Sequence, residues 1–217
     1  MLNILIIIIA VILLGALLFF EKQGKPGSIL PVKTLLSLLF IVTAVVQPHP
    51  LPGYYHLLLI GLIFCLGGDV FLALPQEKMF LYGLVSFLLG HVFYVIAFFH
   101  AAQLNQWTWI GGGLGFVLSG GIYFWLRPHL GAMNRPVLFY IVIITIMVAA
   151  AWSVIGDNHL RLSGRLLIFI GALSFYFSDV FVARDRFLRR EILNRLIGLP
   201  MYYCGQFLLA FSVGVLS

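Results

Sequence analysis

Apolar residues run along this chain in long stretches, separated by short breaks rich in proline, glycine and polar residues. Eight stretches stand out, at about 2–20, 29–46, 55–74, 79–101, 107–126, 137–155, 164–183 and 196–216. Each is close to the ~20 residues an α-helix needs to cross about 30 Å of hydrocarbon. The breaks carry turn chemistry: Pro26 and Gly27, the three prolines Pro48, Pro50 and Pro52, then Pro75, Pro128 and Pro136, and Gly156. The predicted architecture is an all-α integral membrane protein of eight transmembrane helices. It forms a single transmembrane domain over 1–217, and the short loops leave no room for a soluble one. The first stretch has no positive n-region, is long for a signal peptide, and is followed directly by Glu21 and Lys22. It is expected to be a retained helix.

Composition agrees with lipid as the surrounding medium. Hydrophobic residues make up 62% of the 217 and charged residues 9%, against about 25% charged in a soluble domain. Thirteen basic and seven acidic side chains are too few to cover a core of this size with water-facing groups. The net charge of +6 therefore bears on topology, and nucleic acid is not an expected partner. Loops after the first, third, fifth and seventh stretches hold Lys22, Lys25, Lys33, Lys78, Arg127, Arg135, Arg184, Arg186, Arg189, Arg190 and Arg195, whereas the other loops hold only Arg161 and Arg165. That asymmetry predicts odd loops in the cytoplasm and both termini outside. The compact chain suits a bacterial inner membrane.

The third and seventh stretches resemble each other. Gly61-Leu-Ile-Phe-Cys-Leu-Gly-Gly-Asp69-Val-Phe aligns with Gly171-Ala-Leu-Ser-Phe-Tyr-Phe-Ser-Asp179-Val-Phe at an offset of 110 residues. Gly90-His91 and Gly205-Gln206 follow at similar distances, and a Pro-Val pair opens the second and sixth stretches at Pro31 and Pro136. The expected organisation is a four-plus-four parallel duplication with halves at about 1–106 and 107–217, and a site near their interface.

Five of the seven acidic residues lie in breaks, and only Asp69 and Asp179 fall within stretches. A carboxyl inside a span costs a few kcal/mol and is expected to face the bundle interior or water. Asp69 lies five residues before Leu74 and Asp179 five before Arg184, roughly 7 to 8 Å below the predicted cytoplasmic end of each helix. Small residues flank them, Gly67 and Gly68 before the first and Ser174 and Ser178 before the second; these permit close helix approach or leave room for substrate. Gly83, Ser86, Gly90, His91 and Tyr94 form one polar face of the fourth stretch, and Tyr202, Tyr203 and Gln206 cluster in the eighth. Lys33 stands at the cytoplasmic start of the second, either snorkelling to headgroups or reaching the same depth.

Zinc chemistry lacks ligands with suitable spacing, since His91 is isolated from the other histidines, and neither a nucleophile elbow nor a phosphate-binding glycine loop occurs. Cys65 and Cys204 read as buried small hydrophobes. No cofactor or metal is expected. Two intramembrane carboxyls fit acid–base catalysis through a cationic intermediate, one supplying a proton and the other a negative charge.

The elements Gly67-Gly68-Asp69-Val-Phe-Leu72, Gly83 to Tyr94, Gly171 to Asp179 and Tyr202-Tyr-Cys-Gly205-Gln206 resemble, in this order, those of the lysoplasmalogenase, or YhhN-like, family of multi-pass membrane proteins. The resemblance implies hydrolysis of the vinyl ether bond of lysoplasmalogens carrying ethanolamine or choline, giving a fatty aldehyde and a glycerophospho-alcohol. It implies Asp69 and Asp179 as catalytic carboxyls, with His91, Tyr94, Tyr203 and Gln206 lining the substrate site. Lys33 is the residue placed to hold the phosphate. The expected partners are a lysophospholipid substrate and membrane lipid. Duplicated halves with paired intramembrane acids also fit a proton-coupled transporter, and a non-catalytic lysolipid-binding protein would share these features.

Overall fold

Proline and glycine punctuation divides the chain into eight helices in a computed structural model that describes residues 1–217: α1 Leu2–Gln23, α2 Pro26–Val46, α3 Pro52–Ala73, α4 Glu77–Ala101, α5 Gln106–Leu126, α6 Asn134–Ile155, α7 Leu162–Ala183 and α8 Ile192–Ser212. Two short 3-10 turns, Arg127–His129 and Gly131–Met133, join α5 to α6, and a π-helical turn, Arg184–Leu188, prolongs α7. Local chemistry sets the boundaries. Gly24 ends α1 with a left-handed backbone (φ 63°), and Pro26 and Pro52 open α2 and α3, where the missing N–H has no helical partner in any case. Asn105 caps α5 in a reciprocal box with Thr108.

Seven helices, α1 to α7, are long and apolar enough to cross a membrane. The predicted eighth span differs. It is a 21-residue helix, but its composition is diluted by a polar face. That face, with Asn194, Tyr202, Tyr203, Gln206 and Ser212, is buried, while Ile192, Leu193, Leu196 and Ile197 are turned outward. It lies antiparallel against α7 over the length of both, from Gly164 beside Leu216 through Gly171 beside Gly205 to Phe181 beside Gly198. The chain is an integral membrane protein by its helices, and α8 is shaped to keep its polar side chains among them.

The tightest helix pairs use glycine against glycine. A Cβ on Gly61 would come within 3.0 Å of the Gly90 carbonyl oxygen between α3 and α4, and one on Gly205 within 2.8 Å of the Gly171 carbonyl between α7 and α8. Without lipid-excluding hydrophobic force between spans, such contact is what lets helices associate closely.

Both termini and the α2–α3 connection gather at one end of the bundle, where Gln47 donates to Asn3 at 3.1 Å and packs on Gly214. The opposite end is basic. There Arg195 of α8 pairs with Glu21 of α1, and the Arg186 guanidinium stands 4.7 Å over the Phe80 ring of α4. Two expectations are corrected. Lys33 is not a loop residue: it lies inside α2, 7% exposed, because an internal carboxylate holds it there. Cys204 is exposed on the outer face of α8, whereas Cys65 is buried, since only the latter's face meets another helix.

Candidate active site

Asp69, in the last two turns of α3, is 1% exposed and surrounded by donors from two other helices. Lys33 Nζ of α2 lies 3.1 Å from Oδ1. On Oδ2 it accepts from the Ser37 hydroxyl at 2.6 Å and from the Tyr202 hydroxyl of α8 at 2.6 Å. Lys33 and Ser37 are four residues apart and so project from one face of α2. A charge taken this far from water needs a partner charge together with hydrogen bonds to its remaining lone pairs, and Asp69 has both.

Asp179, in the corresponding part of α7, is held more lightly. It is half-buried and accepts one hydrogen bond, from the Tyr140 hydroxyl of α6 to Oδ2 at 2.5 Å. None of the ion pairs in the structure involves it. Its Oδ1 has no protein partner.

Both carboxyls line one cavity of about 900 Å³ that extends to the basic end of the bundle. Apolar lining comes from Phe87 of α4, Ile122 of α5, and Val137 and Ile144 of α6. The wall also carries Glu21, Glu77, Asp185, Arg186, Arg190 and Arg195. A concave, partly open space with apolar walls and converging polar groups has the character of a small-molecule site, and this one is large enough for part of a single-chain lipid.

The predicted site residues divide into two sets. Asp69, Asp179 and Lys33 line the cavity; His91, Tyr94, Tyr203 and Gln206 do not and are buried behind its wall. Tyr94 donates to Gln206 Oε1 at 2.7 Å, and Gln206 Nε2 donates to the Tyr202 oxygen at 3.2 Å. This is a chain of support ending at Asp69. The Tyr203 hydroxyl sits 3.2 Å from that of Ser37. His91 is packed among the rings of Phe175 at 4.5 Å, Tyr140 at 5.2 Å and Tyr94 at 6.2 Å, and neither ring nitrogen has a partner.

The polar face of α4 turns out to be a helix-packing face. Ser86 donates to the Phe64 carbonyl of α3 at 2.6 Å, and Gly83 and Gly90 meet Leu72 and Cys65. Gly67 and Gly68 are likewise filled by Ser86 and the Phe87 ring, so they provide close packing and not room for a ligand. Two partners of the carboxyls, Ser37 and Tyr140, went unremarked in the sequence. Ser37 had a weak signal, one turn beyond Lys33; Tyr140 had none, since a tyrosine in a span is common on any face.

Lysoplasmalogenase TMEM86A of Bos taurus is 33% identical over 160 residues, covering 70% of this chain and 63% of that protein. The Homo sapiens protein of the same name is 32% identical over the same coverage. A lysoplasmalogenase of Mycobacterium tuberculosis is 28% identical over 192 residues, 82% of this chain and 69% of that one. The chain thus spans less than two thirds of the length of the bovine and human relatives it matches. No solved structure matches it significantly. The sequence model of the YhhN family matches residues 28–213, a range that includes both aspartates with Lys33, Ser37, Tyr140 and Tyr202 around them, and the chain belongs to that family.

Proposed function

We propose that this protein hydrolyses the vinyl ether bond of lysoplasmalogens inside the membrane, with Asp179 as the proton donor and Asp69 as the fixed carboxylate. The observation that carries the reading is that the two aspartates set a full turn inside their helices, Asp69 and Asp179, line one cavity and are partnered unequally. Relatives bearing the name lysoplasmalogenase support the substrate class.

Asp69, facing an ammonium and two hydroxyl donors, is the carboxyl whose surroundings suit a negative charge. Asp179, with one phenol on Oδ2 and Oδ1 open, is the carboxyl able to hold a proton and release it. In the proposed reaction that proton passes to the alkenyl carbon next to the one bearing oxygen, leaving an oxocarbenium ion. Asp69, although paired with Lys33, lies on the same cavity wall and turns the negative end of that ion pair toward this cation. A water molecule then adds to the cation and its surplus proton returns to Asp179. The resulting hemiacetal moves its hydroxyl proton to the ether oxygen as the C–O bond breaks, giving a fatty aldehyde and the free glycerol hydroxyl. One water is consumed and Asp179 is restored. A lysolipid with its tail in the bilayer carries the ether bond just beneath the headgroup, near the depth of both carboxyls. Tyr94, Gln206 and Tyr203 are positioning residues in this account, acting through Tyr202 and Ser37.

The same reading places the basic end in the cytoplasm, both termini outside, α8 as an eighth crossing, and the chain as one transmembrane domain of two repeated halves in a bacterial inner membrane. The matched glycine contacts of α3–α4 and α7–α8 support the repeat.

The test is turnover by purified protein on 1-alkenyl lysophospholipids. Expected are aldehyde and glycerophospho-alcohol in equal amounts, with none from the 1-acyl analogue. Binding or transbilayer flux without cleavage of any alkenyl lysolipid would replace this reading with a carrier or a binding protein.

A further inference from the structure

The cavity carries four basic side chains on its wall: Lys33, Arg186, Arg190 and Arg195. Two are already committed. Lys33 is neutralised by Asp69 at 3.1 Å, so the ammonium expected from sequence to hold a phosphate is occupied by the carboxylate. Arg195 is shared between Glu21 and Asp185. Arg184, which pairs with Glu191, does not face the cavity. Arg186 and Arg190 have no acidic partner; Arg186 instead stands over the Phe80 ring, a cation–π contact that leaves its N–H donors unpaired with any carboxylate.

Their position has a geometric cause. The five-residue π turn Arg184–Leu188 extends α7 past Asp179 and carries Arg186 on the cavity wall, with Arg190 in the segment that follows; such irregular turns are often found at functional sites. Arg186 follows Asp179 by seven residues, about 10 Å along a helix toward the basic end, and an arginine side chain reaches back over part of that span.

We infer that Arg186 and Arg190 form a phosphate-binding subsite at the cavity mouth, taking the phosphodiester of a lysophospholipid whose chain enters the apolar part. This inference rests on the proposed function for the identity of the lipid, since the phosphate follows the vinyl ether by the length of a glycerol. Two forked guanidinium groups without a carboxylate partner suit a phosphate, to which each can donate two parallel hydrogen bonds.

The experiment is binding without turnover, using purified protein and a saturated 1-alkyl ether lysophosphatidylethanolamine, which has no vinyl bond to cleave, alongside 1-alkylglycerol, which has no phosphate. Arg186→Gln/Arg190→Gln is expected to weaken the lysophospholipid about ten-fold or more while alkylglycerol binding changes by less than about two-fold. Arg186→Lys/Arg190→Lys recovers part of the loss. Arg189→Gln, exposed and off the cavity wall, matches wild type and reports on folding and surface charge. Inorganic phosphate as competitor separates the sources: displacement of the ether lipid shows that free phosphate also binds, and no displacement assigns the subsite to the lipid headgroup, the arginine dependence supporting the subsite in both cases. Equal loss for both ligands, or no loss for either, overturns it. Because no bond is broken, arginine-dependent binding without aldehyde release from alkenyl substrates would overturn the hydrolase reading and leave this subsite standing.

Discussion

Asp69 and Asp179 stand 110 residues apart in matching stretches, each followed by Val-Phe, yet the two regions treat them differently. Around Asp69, α2 and α8 supply an ammonium and two hydroxyls. Around Asp179, α6 supplies one phenol, and part of the carboxyl faces the cavity. Similar helix scaffolds with similar glycine contacts therefore hold one carboxyl as part of a buried network and leave the other with a single phenol partner. The difference comes from neighbours on other helices, not from the aspartate-bearing segments.

The sharpest way to break this contrast is to unpair the network. Lys33→Met should destabilise the protein by about 3–5 kcal/mol, the usual effect of leaving one member of a buried ion pair alone, read as thermal unfolding in a fixed detergent. Asp179→Asn should lower stability by no more than about 1 kcal/mol, since one hydrogen bond is at stake. Equal losses would mean that both carboxyls are structural. Lys33→Met combined with Asp69→Leu should regain most of the stability while aldehyde release stays lost.

Packing, unlike chemistry, should be symmetric. Gly90→Ala and Gly205→Ala place a Cβ at 3.0 and 2.8 Å from a facing carbonyl oxygen, and each should cost about 1–3 kcal/mol. A large loss in one helix pair alone would show that the two scaffolds are not equivalent. Next in size are the phenols. Tyr140→Phe removes the sole partner of Asp179 and should lower kcat about ten-fold with KM little changed, whereas Tyr202→Phe leaves Lys33 and Ser37 on Asp69 and should lower it less. The reverse order would exchange the roles assigned to the carboxyls. Smallest is Cys204→Ala on the outward face of α8, expected within about 0.5 kcal/mol of wild type.

The helices and the two aspartates were legible in the sequence for one reason: in an apolar span a charge is rare enough to stand out, and a run of about 20 apolar residues has few other uses. Lys33 was visible but misplaced, because a lysine seven residues after Pro26 reads as the edge of a span until Asp69 is known to face it. His91, Tyr94, Tyr203 and Gln206 were correctly seen as unusual polar groups inside helices. Their position behind the cavity wall depends on how α3, α4 and α8 rotate against one another, which helical periodicity alone does not determine. Tyr140 and Ser37 could not be singled out, since tyrosine and serine are ordinary in spans and acquire meaning only from the carboxyl opposite. Helix α8 illustrates the converse: it stands among the eight apolar stretches, yet its buried polar face, which carries Tyr202, keeps it out of the seven helices apolar enough to cross a membrane.

The central claim is that these two carboxyls, acting unequally, cleave the vinyl ether. The measurement that tests it most directly is the rate of aldehyde release from a lysoplasmenyl lipid by purified wild type, Asp69→Asn and Asp179→Asn, each shown to be folded. The account predicts aldehyde from wild type and a loss of at least about 100-fold in Asp179→Asn, the usual worth of a general acid, with Asp69→Asn also impaired. Wild-type rates in both variants would contradict it.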